Sequence, residues 1–148
     1  MSVDAITAIP GATSCVFNIP ITEIGSFNDS AQIDIVATGP DGSTHSATKT
    51  VTAAGTFSMT INDPPLLAGA NYTAVVTVTG NKTGSVTKNV SFTTLASAPT
   101  IGALSTNAVE DVSVTLSLPV MAIGEGNSYV DVLVTVDRSE ERRVGKEC

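Results

Sequence analysis

The residue types that most often do chemistry are scarce in this sequence. His45 is the only histidine, and Cys15 and Cys148 are the only cysteines. A general base needs a partner within hydrogen-bond reach, but no Ser-His-Asp order or Cys-His pair can be identified around His45. One histidine and one cysteine also fall short of the three or four ligands of a zinc site. We therefore expect no enzyme activity, no catalytic or metal-binding residue and no cofactor, and we expect His45 to be an exposed strand residue.

Cys15 is expected to be structural. It stands between Ser14 and Val16, and an unpaired cysteine in such a strand-like stretch is most simply a small buried residue. A reactive thiol needs a nearby positive charge to lower its pKa. Because no histidine or basic residue lies near Cys15 in the sequence, burial is the simpler interpretation.

The carboxylates offer a weaker signal. Asp34 and Asp131 each have apolar residues on both sides, so in a strand each points to the outer, solvated face. Glu110-Asp111 and Asn28-Asp29 lie in predicted loops. Calcium at a domain junction stays an alternative, because Ca²⁺ takes clusters of carboxylate and carbonyl oxygens, although the sequence has no dense Asp-x-Asp motif.

The composition narrows the range of partners. Charged residues make up 14% of the chain, against about 25% in a typical soluble protein, and the formal net charge is −7. An acidic balance argues against nucleic acids, which need a basic face, and against docking on an anionic membrane. No apolar run approaches the ~20 residues of a transmembrane helix, so we expect no membrane insertion. Residues 1–4 do not begin a signal peptide, so we expect either a true start farther upstream or export by another route.

Alternating hydrophobicity predicts the elements that must hold these residues. Apolar residues recur at every second position, as in Phe57, Met59 and Ile61, and no stretch keeps a helical period of 3.6. The pattern predicts seven strands, at residues 5–9, 14–19, 32–38, 44–52, 56–61, 72–79 and 86–94. Turn signals separate them, namely Gly39-Pro40-Asp41-Gly42, Asn62-Asp63-Pro64-Pro65 and residues 80–84. Such spacing predicts an all-β fold, a seven-stranded antiparallel immunoglobulin-like sandwich.

Before the sixth predicted strand, the chain resembles a fibronectin type III domain. The segment Leu66-Leu67-Ala68-Gly69-Ala70-Asn71-Tyr72 is similar to that family's Leu-x-Pro-Gly-Thr-x-Tyr pattern. Leu66, Gly69 and Tyr72 fall on the family's positions, and they are our candidate structural residues. The resemblance implies a tyrosine corner, in which the Tyr72 hydroxyl bonds back to the chain a few residues upstream.

The resemblance covers about residues 3–95 and includes two departures from the family. Ala68 replaces the usual proline, and the chain has no tryptophan. The resemblance therefore implies that Phe17 takes the place of the family's core tryptophan. Other prokaryotic immunoglobulin-like sandwiches stay open as alternatives.

The start of the domain recurs at an offset of 99 residues. Pro20 aligns with Pro119, and the apolar positions around the two prolines agree. Ile24-Gly25 matches Ile123-Gly124, and after a two-residue deletion residues 33–38 match residues 130–135. We therefore expect the domains to be residues 1–95, a linker at 96–100, and the first three strands of a truncated second repeat at 101–137. Three strands cannot close a seven-stranded core, so we expect residues 100–148 to be poorly ordered or prone to aggregate.

The last eleven residues, 138–148, differ from everything before them. They hold four basic residues, whereas the preceding 137 residues hold three lysines and no arginine. The segment resembles the in-frame translation of a sequencing-adapter oligonucleotide, which implies a non-native tail and a protein that continues beyond Asp137. A basic tail that recruits an acidic partner is the alternative.

These features favour a non-catalytic spacer or adhesion module of a multi-domain extracellular or cell-surface protein, of prokaryotic or phage origin. Its expected partners are neighbouring immunoglobulin-like repeats of the same chain and an unidentified protein or carbohydrate ligand, if it binds one. A structural domain of a phage virion or tail fibre is one alternative. An accessory domain of a secreted hydrolase is another, because sandwiches of this kind host many functions.

Overall fold

The computed structural model describes residues 1–110 and 113–136, and this part of the chain is all-β. Its strands pair only antiparallel, and no helix occurs within the two described ranges. The strands are β1 (Ser2–Val3), β2 (Thr7–Pro10), β3 (Cys15–Glu23), β4 (Ala31–Thr38), β5 (Thr44–Val51), β6 (Gly55–Ile61), β7 (Asn71–Gly80), β8 (Ser85–Thr93), β9 (Thr100–Ile101), β10 (Ser105–Val109), β11 (Val114–Ser117) and β12 (Val120–Ala122).

The first sheet is built around β3. From Cys15 to Ile21, β3 pairs with β6 on one edge. On the other edge, β2 pairs with its first half and β1 with its last residues. The second sheet has the order β5-β4-β7-β8, with uninterrupted registers between neighbours.

The two sheets enclose one core, as in a β-sandwich. Inward residues alternate with outward ones along β3 and β4, which is the periodicity of a half-buried strand. Phe17 of β3 meets Phe92 of β8 edge-to-face, with ring centroids 5.5 Å apart, so the aromatic contact joins the two sheets. Burying one such side chain stabilises the fold by about 1.5–3 kcal/mol.

The strands and turns predicted within residues 1–95 are confirmed, with one difference at the first strand. A single strand was expected at residues 5–9, whereas the structure has β1 and β2 on either side of a gap. Pro20 explains the gap. Its carbonyl accepts from the Asp4 N–H at 2.9 Å, so its nitrogen faces the same edge of β3 but has no hydrogen to donate there.

Residues 100–122 form two short antiparallel strand pairs, one enclosed by the other along the chain. β9 pairs with β12, and β10 pairs with β11. The third strand predicted for the second repeat, at residues 130–135, does not form, since residues 123–136 belong to no strand. In the first domain the matching strand β4 lies between β5 and β7. Residues 130–136 have no such neighbours in the described part of the chain, which explains the difference.

Some sequence predictions fall outside the described residues. Asp111, Cys148 and the adapter-like tail at 138–148 are among them. Within residues 1–110 and 113–136, no helix has the length and apolar character needed to cross a membrane.

Candidate functional site

The Tyr72 side chain closes the loop that precedes its own strand. Its hydroxyl accepts a hydrogen bond from the Leu67 N–H at 2.9 Å, five residues upstream. Leu66 places its side chain in the core, and its N–H donates to the Thr13 carbonyl at 2.9 Å. The segment from Leu66 to Tyr72, which we call the corner loop, is therefore fixed at both ends.

Thr94 completes the corner loop from the other side. Its hydroxyl donates to the Leu67 carbonyl at 2.6 Å and accepts from the Ala70 N–H at 2.8 Å. The Gly69 N–H donates to the Leu95 carbonyl at 3.0 Å. Gly69 has a φ of 61°, in the left-handed region where glycine carries no steric cost. No role was expected for Thr94, which ends the last predicted strand of residues 1–95.

Aromatic packing makes the corner part of the core. The Tyr72 ring stacks on Phe92, with centroids 5.4 Å apart and planes 9° from parallel. Phe92 in turn meets Phe17. Phe17 is fully buried.

The prediction that His45 is exposed was wrong. The side chain is 5% exposed and meets the Tyr72 ring edge-on, with centroids 5.8 Å apart. The signal was present in the sequence, because Ala47 and Val51 share the parity of His45 along β5 and also turn inward. Thr and Ser residues on the opposite face obscured it.

His45 belongs to a short hydrogen-bonded chain that runs from Asp41 to the Pro64 carbonyl. The Ser43 hydroxyl donates to the Asp41 carboxylate at 2.7 Å and lies 3.3 Å from His45 Nε2. His45 Nδ1 donates to the Pro64 carbonyl at 2.9 Å. In a nucleophilic triad the acid orients the histidine, whereas here Asp41 contacts the serine and the histidine is held by a main-chain carbonyl.

The hydrogen bonds of Ser43 also act on Asp41. The Ser43 hydroxyl, followed by the Ser43 N–H, lowers the pKa of the Asp41 carboxyl below its ordinary value. These bonds close the turn between β4 and β5, where Gly42 has a φ of 82°. His45 carries the link on to Pro64, so the cluster joins this turn to the loop after β6.

Cys15 is a core residue, as the sequence indicated. Its side chain is fully buried in β3, and it forms no disulfide with any described residue. Burial raises the pKa of its thiol to about 11. The thiolate form needed for reactivity is therefore disfavoured at neutral pH.

The outer face of the second sheet (β5-β4-β7-β8) carries a depression of about 430 Å³, lined mostly by polar residues. Asp34 lies in it, on the outer face that the sequence predicted. The Asp34 carboxylate accepts from the Thr48 hydroxyl at 2.7 Å and from the Gln32 amide at 2.9 Å. Asp131, its counterpart in the sequence repeat, is exposed and lies outside any strand.

Asn28 is the residue that sequence reasoning missed most clearly. It is buried, and its amide donates to the carbonyls of Ile24 and Thr83 at 2.5 Å and 2.8 Å. Its Oδ1 accepts from the N–H groups of Lys82 and Thr83, both at 2.9 Å. Asn28 therefore joins the turn after β3 to the turn between β7 and β8.

Asn127 builds the same turn in the second segment. The Asn28 N–H donates to Gly25 and its side chain to Ile24; the Asn127 N–H donates to Gly124 and its side chain to Ile123. Gly25 and Gly124 have φ values of 92° and 85°. The asparagine pair lies at the same offset as the Ile-Gly pair, and that agreement is the signal that would have found Asn28.

Among the described residues, no three His, Cys, Asp or Glu side chains come together in a group that could hold a metal ion. Comparison with protein-family models, with curated proteins and with solved structures gives no match to this chain.

Proposed function

We propose that this chain is a structural spacer from a tandem array of fibronectin type III-like domains in an extracellular or cell-surface protein. In this proposal, residues 1–95 are one complete domain and residues 101–137 are the start of the next. The role is non-catalytic, and its partners are the neighbouring repeats.

The strand order supports the fibronectin type III assignment. If β1 and β2 count as one split strand, the first domain has seven strands. The fourth of these, β5, pairs with β4 rather than with β6. This differs from the antibody constant domain, in which the fourth strand joins the other sheet. The bond between Tyr72 and Leu67 supports the tyrosine corner in the same way.

One observation carries the tandem-repeat proposal: both segments have similar main-chain hydrogen bonds at the matching prolines and at the matching asparagine turns. Pro20 interrupts the edge pairing of β3, and its carbonyl accepts from the Asp4 N–H. Pro119 stands between β11 and β12, and its carbonyl accepts from the Gly102 N–H at 2.7 Å. The repeated asparagine turn adds a second agreement, so the likeness extends from sequence to main-chain hydrogen bonding.

The long strand registers support a role in transmitting tension. Long uninterrupted registers join β4 to both of its neighbours, and β3 pairs with β6 over seven residue pairs. Such sheets unfold cooperatively because their core is shared. A spacer under tension needs this behaviour, whereas a hydrolytic function needs a reactive constellation, and the group around His45 lacks that order.

Single-molecule force spectroscopy of the chain between inert handles tests the proposal. We expect one discrete unfolding event with a contour-length gain of about 300 Å, as the chain length of residues 1–95 dictates. Phe17→Ala should shift the event to lower force, because it opens a cavity in the same core. Gradual extension without an event would contradict the spacer role.

Binding arrays test the adhesion alternative. The chain would be applied to immobilised glycans and extracellular proteins. Saturable binding that is lost in Asp34→Asn, which changes the depression on the outer sheet face, would replace the spacer proposal with an adhesive one. Thr87→Ala, on the same outer face but outside the residues that line the depression, is the matched control.

A further inference from the structure

The turn at residues 123–127 of the second segment contacts both the linker, at Ser97, and the first domain, at Gly69. The Ser97 N–H donates to the Glu125 carbonyl at 2.9 Å. The Glu125 N–H donates to the Ser97 hydroxyl at 2.6 Å, and the Asn127 amide donates to the Ser97 carbonyl at 2.8 Å. Each polar group of Ser97 is thus bonded to the turn at residues 123–127.

Two glycines make the adjoining contact. Gly126 lies against Gly69 of the corner loop, and a Cβ built on Gly126 would stand 2.7 Å from the Gly69 Cα and 3.2 Å from the Ala68 carbonyl oxygen. A Cβ built on Gly69 would in turn meet the Gly126 Cα. Both glycines have positive φ, 61° and 86°. The two main chains approach as closely as they do because neither residue has a side chain.

The sequence of the turn changes at the point of contact. Residues 24–28 and 123–127 share their Ile, Gly and Asn, but Phe27 stands where the second segment has Gly126. The Phe27 side chain is 75% exposed. A side chain of that size could not occupy the position of Gly126 beside the corner loop, so the turn at 123–127 is shaped for this contact.

We propose that the corner loop is a docking surface for the next repeat, with Ser97 and the Gly69–Gly126 contact holding the two repeats in a fixed relative orientation. This rests on the proposed function, because it takes residues 101–137 as the start of a second repeat. It adds that the joint is stiff. The corner loop then has two roles, since it closes its own domain through Tyr72 and receives the following domain through Gly69.

The geometry explains why the joint needs no large interface. Ser97 is only three residues beyond Thr94, which anchors the end of the first domain. A contact so close to a covalent connection gains from a high effective concentration. The hydrogen bonds of Ser97 and one glycine contact can therefore hold a tethered neighbour that would not bind as a separate molecule.

Nuclear magnetic resonance of the full 148-residue chain tests the docking. We expect a nuclear Overhauser effect between the Hα protons of Gly69 and Gly126, and slow exchange of the Glu125 amide. Gly126→Ala should abolish this nuclear Overhauser effect. It should also accelerate exchange of the Glu125 amide by about tenfold or more, as loss of a protecting contact does. Gly42→Ala is the matched control, because Gly42 also has a positive φ but its Cβ would meet nothing within 4 Å.

Ser97→Ala provides a second variant that leaves both glycines in place. It removes the acceptor of the Glu125 N–H, so the Glu125 amide should again exchange faster, while the amides of the β10–β11 pair keep their wild-type exchange. That last readout separates undocking from unfolding of the second segment.

Two results would overturn the stiff joint: absence of the Gly69–Gly126 effect in the wild-type chain, or equal perturbation of Glu125 by Gly42→Ala and Gly126→Ala. Neither result changes the unfolding event expected in the force measurement, because that event depends on the first domain alone. A discrete unfolding event without the glycine contact would leave a spacer with a flexible joint.

Discussion

Two regions of this chain begin with the same pattern and reach different degrees of burial. In the first domain, Phe17 and Ile19 are fully buried. At the matching positions of the second segment, Leu116 and Leu118 are only half-buried. Farther along, Ile21 is 2% exposed and its counterpart Val120 is 42% exposed. The same apolar alternation therefore gives a core in one place and a partly open face in the other.

The difference shows which contacts a strand pattern can make by itself. Pairing between β10 and β11 needs only residues that lie close in sequence, and it forms in the second segment as β2–β3 pairing does in the first. The opposing sheet, by contrast, comes from β4, β5, β7 and β8. Two paired strands are marginal until another layer covers their apolar face.

The largest effect is expected from truncating the same core position in both regions. Phe17→Ala should lower the free energy of unfolding by about 3–5 kcal/mol, because it removes a fully buried aromatic side chain and leaves a cavity. Leu116→Ala should cost less than about 1 kcal/mol, since a half-buried side chain has less contact to lose. Urea melts of both variants, followed by circular dichroism, measure the two losses. Equal losses would mean that the second segment has a closed core.

The strand positions could be read from the sequence because burial and alternation coincide there. Along β4, each of Ile33, Ile35 and Ala37 is buried and each intervening residue is turned outward. The alternation in the sequence therefore predicts both the strand and its buried face. The turn at Gly39–Gly42 was equally readable, because Gly42 supplies a positive φ.

The failures have a common physical cause, which is that they depend on distant partners. Parity along β5 places His45 on the inward face, but the Pro64 carbonyl and the Tyr72 ring that accommodate a histidine there are distant in sequence. Residues 130–135 alternate like β4 but form no strand, and Val132 and Val134, at the inward positions of the pattern, are 52% and 46% exposed. A periodic pattern predicts a face, whereas a strand also needs an edge to pair with.

The asparagine turn gives the second comparison. Asn28→Ala should destabilise the first domain by about 1–3 kcal/mol, because it leaves the main-chain groups of Lys82 and Thr83 without their partner in a buried place. Asn127→Ala should leave the same unfolding transition within about 0.5 kcal/mol of wild type, since its bonds lie in the second segment and the linker. Thermal melts of both variants measure the contrast. A loss as large in Asn127→Ala would show that the junction stabilises the first domain.

The two tyrosines allow the third comparison. Tyr72→Phe should cost about 1 kcal/mol, because it removes only the acceptor of the Leu67 N–H and keeps the aromatic packing. Tyr129 lies in the second segment and is 72% exposed, so Tyr129→Phe should not change the stability. Urea midpoints at equal m-values are the measurement. An unchanged midpoint for Tyr72→Phe would mean that the hydrogen bond from Leu67 to Tyr72 does not stabilise the fold.

The smallest effect is expected at the turn between β4 and β5, for which the described part of the second segment has no counterpart. The folded-state pKa of Asp41 lies below its ordinary value of 3.8. Its contribution to stability is therefore complete above that ordinary value and is lost as the pH falls through the lowered folded pKa. Compared with wild type, Asp41→Asn should be slightly less stable at about pH 6, and the difference should vanish near pH 2.

Ser43→Ala separates the cause of this pH dependence from the charge itself. It removes the hydroxyl that contributes most to lowering the pKa of Asp41, so it should flatten the acid limb of the stability curve while Asp41 keeps its carboxylate. Stability measured from about pH 2 to pH 7 in both variants gives the two slopes. If Ser43→Ala kept the wild-type slope, the lowered pKa of Asp41 would depend on the Ser43 N–H and the remaining charges of the turn rather than on the Ser43 hydroxyl.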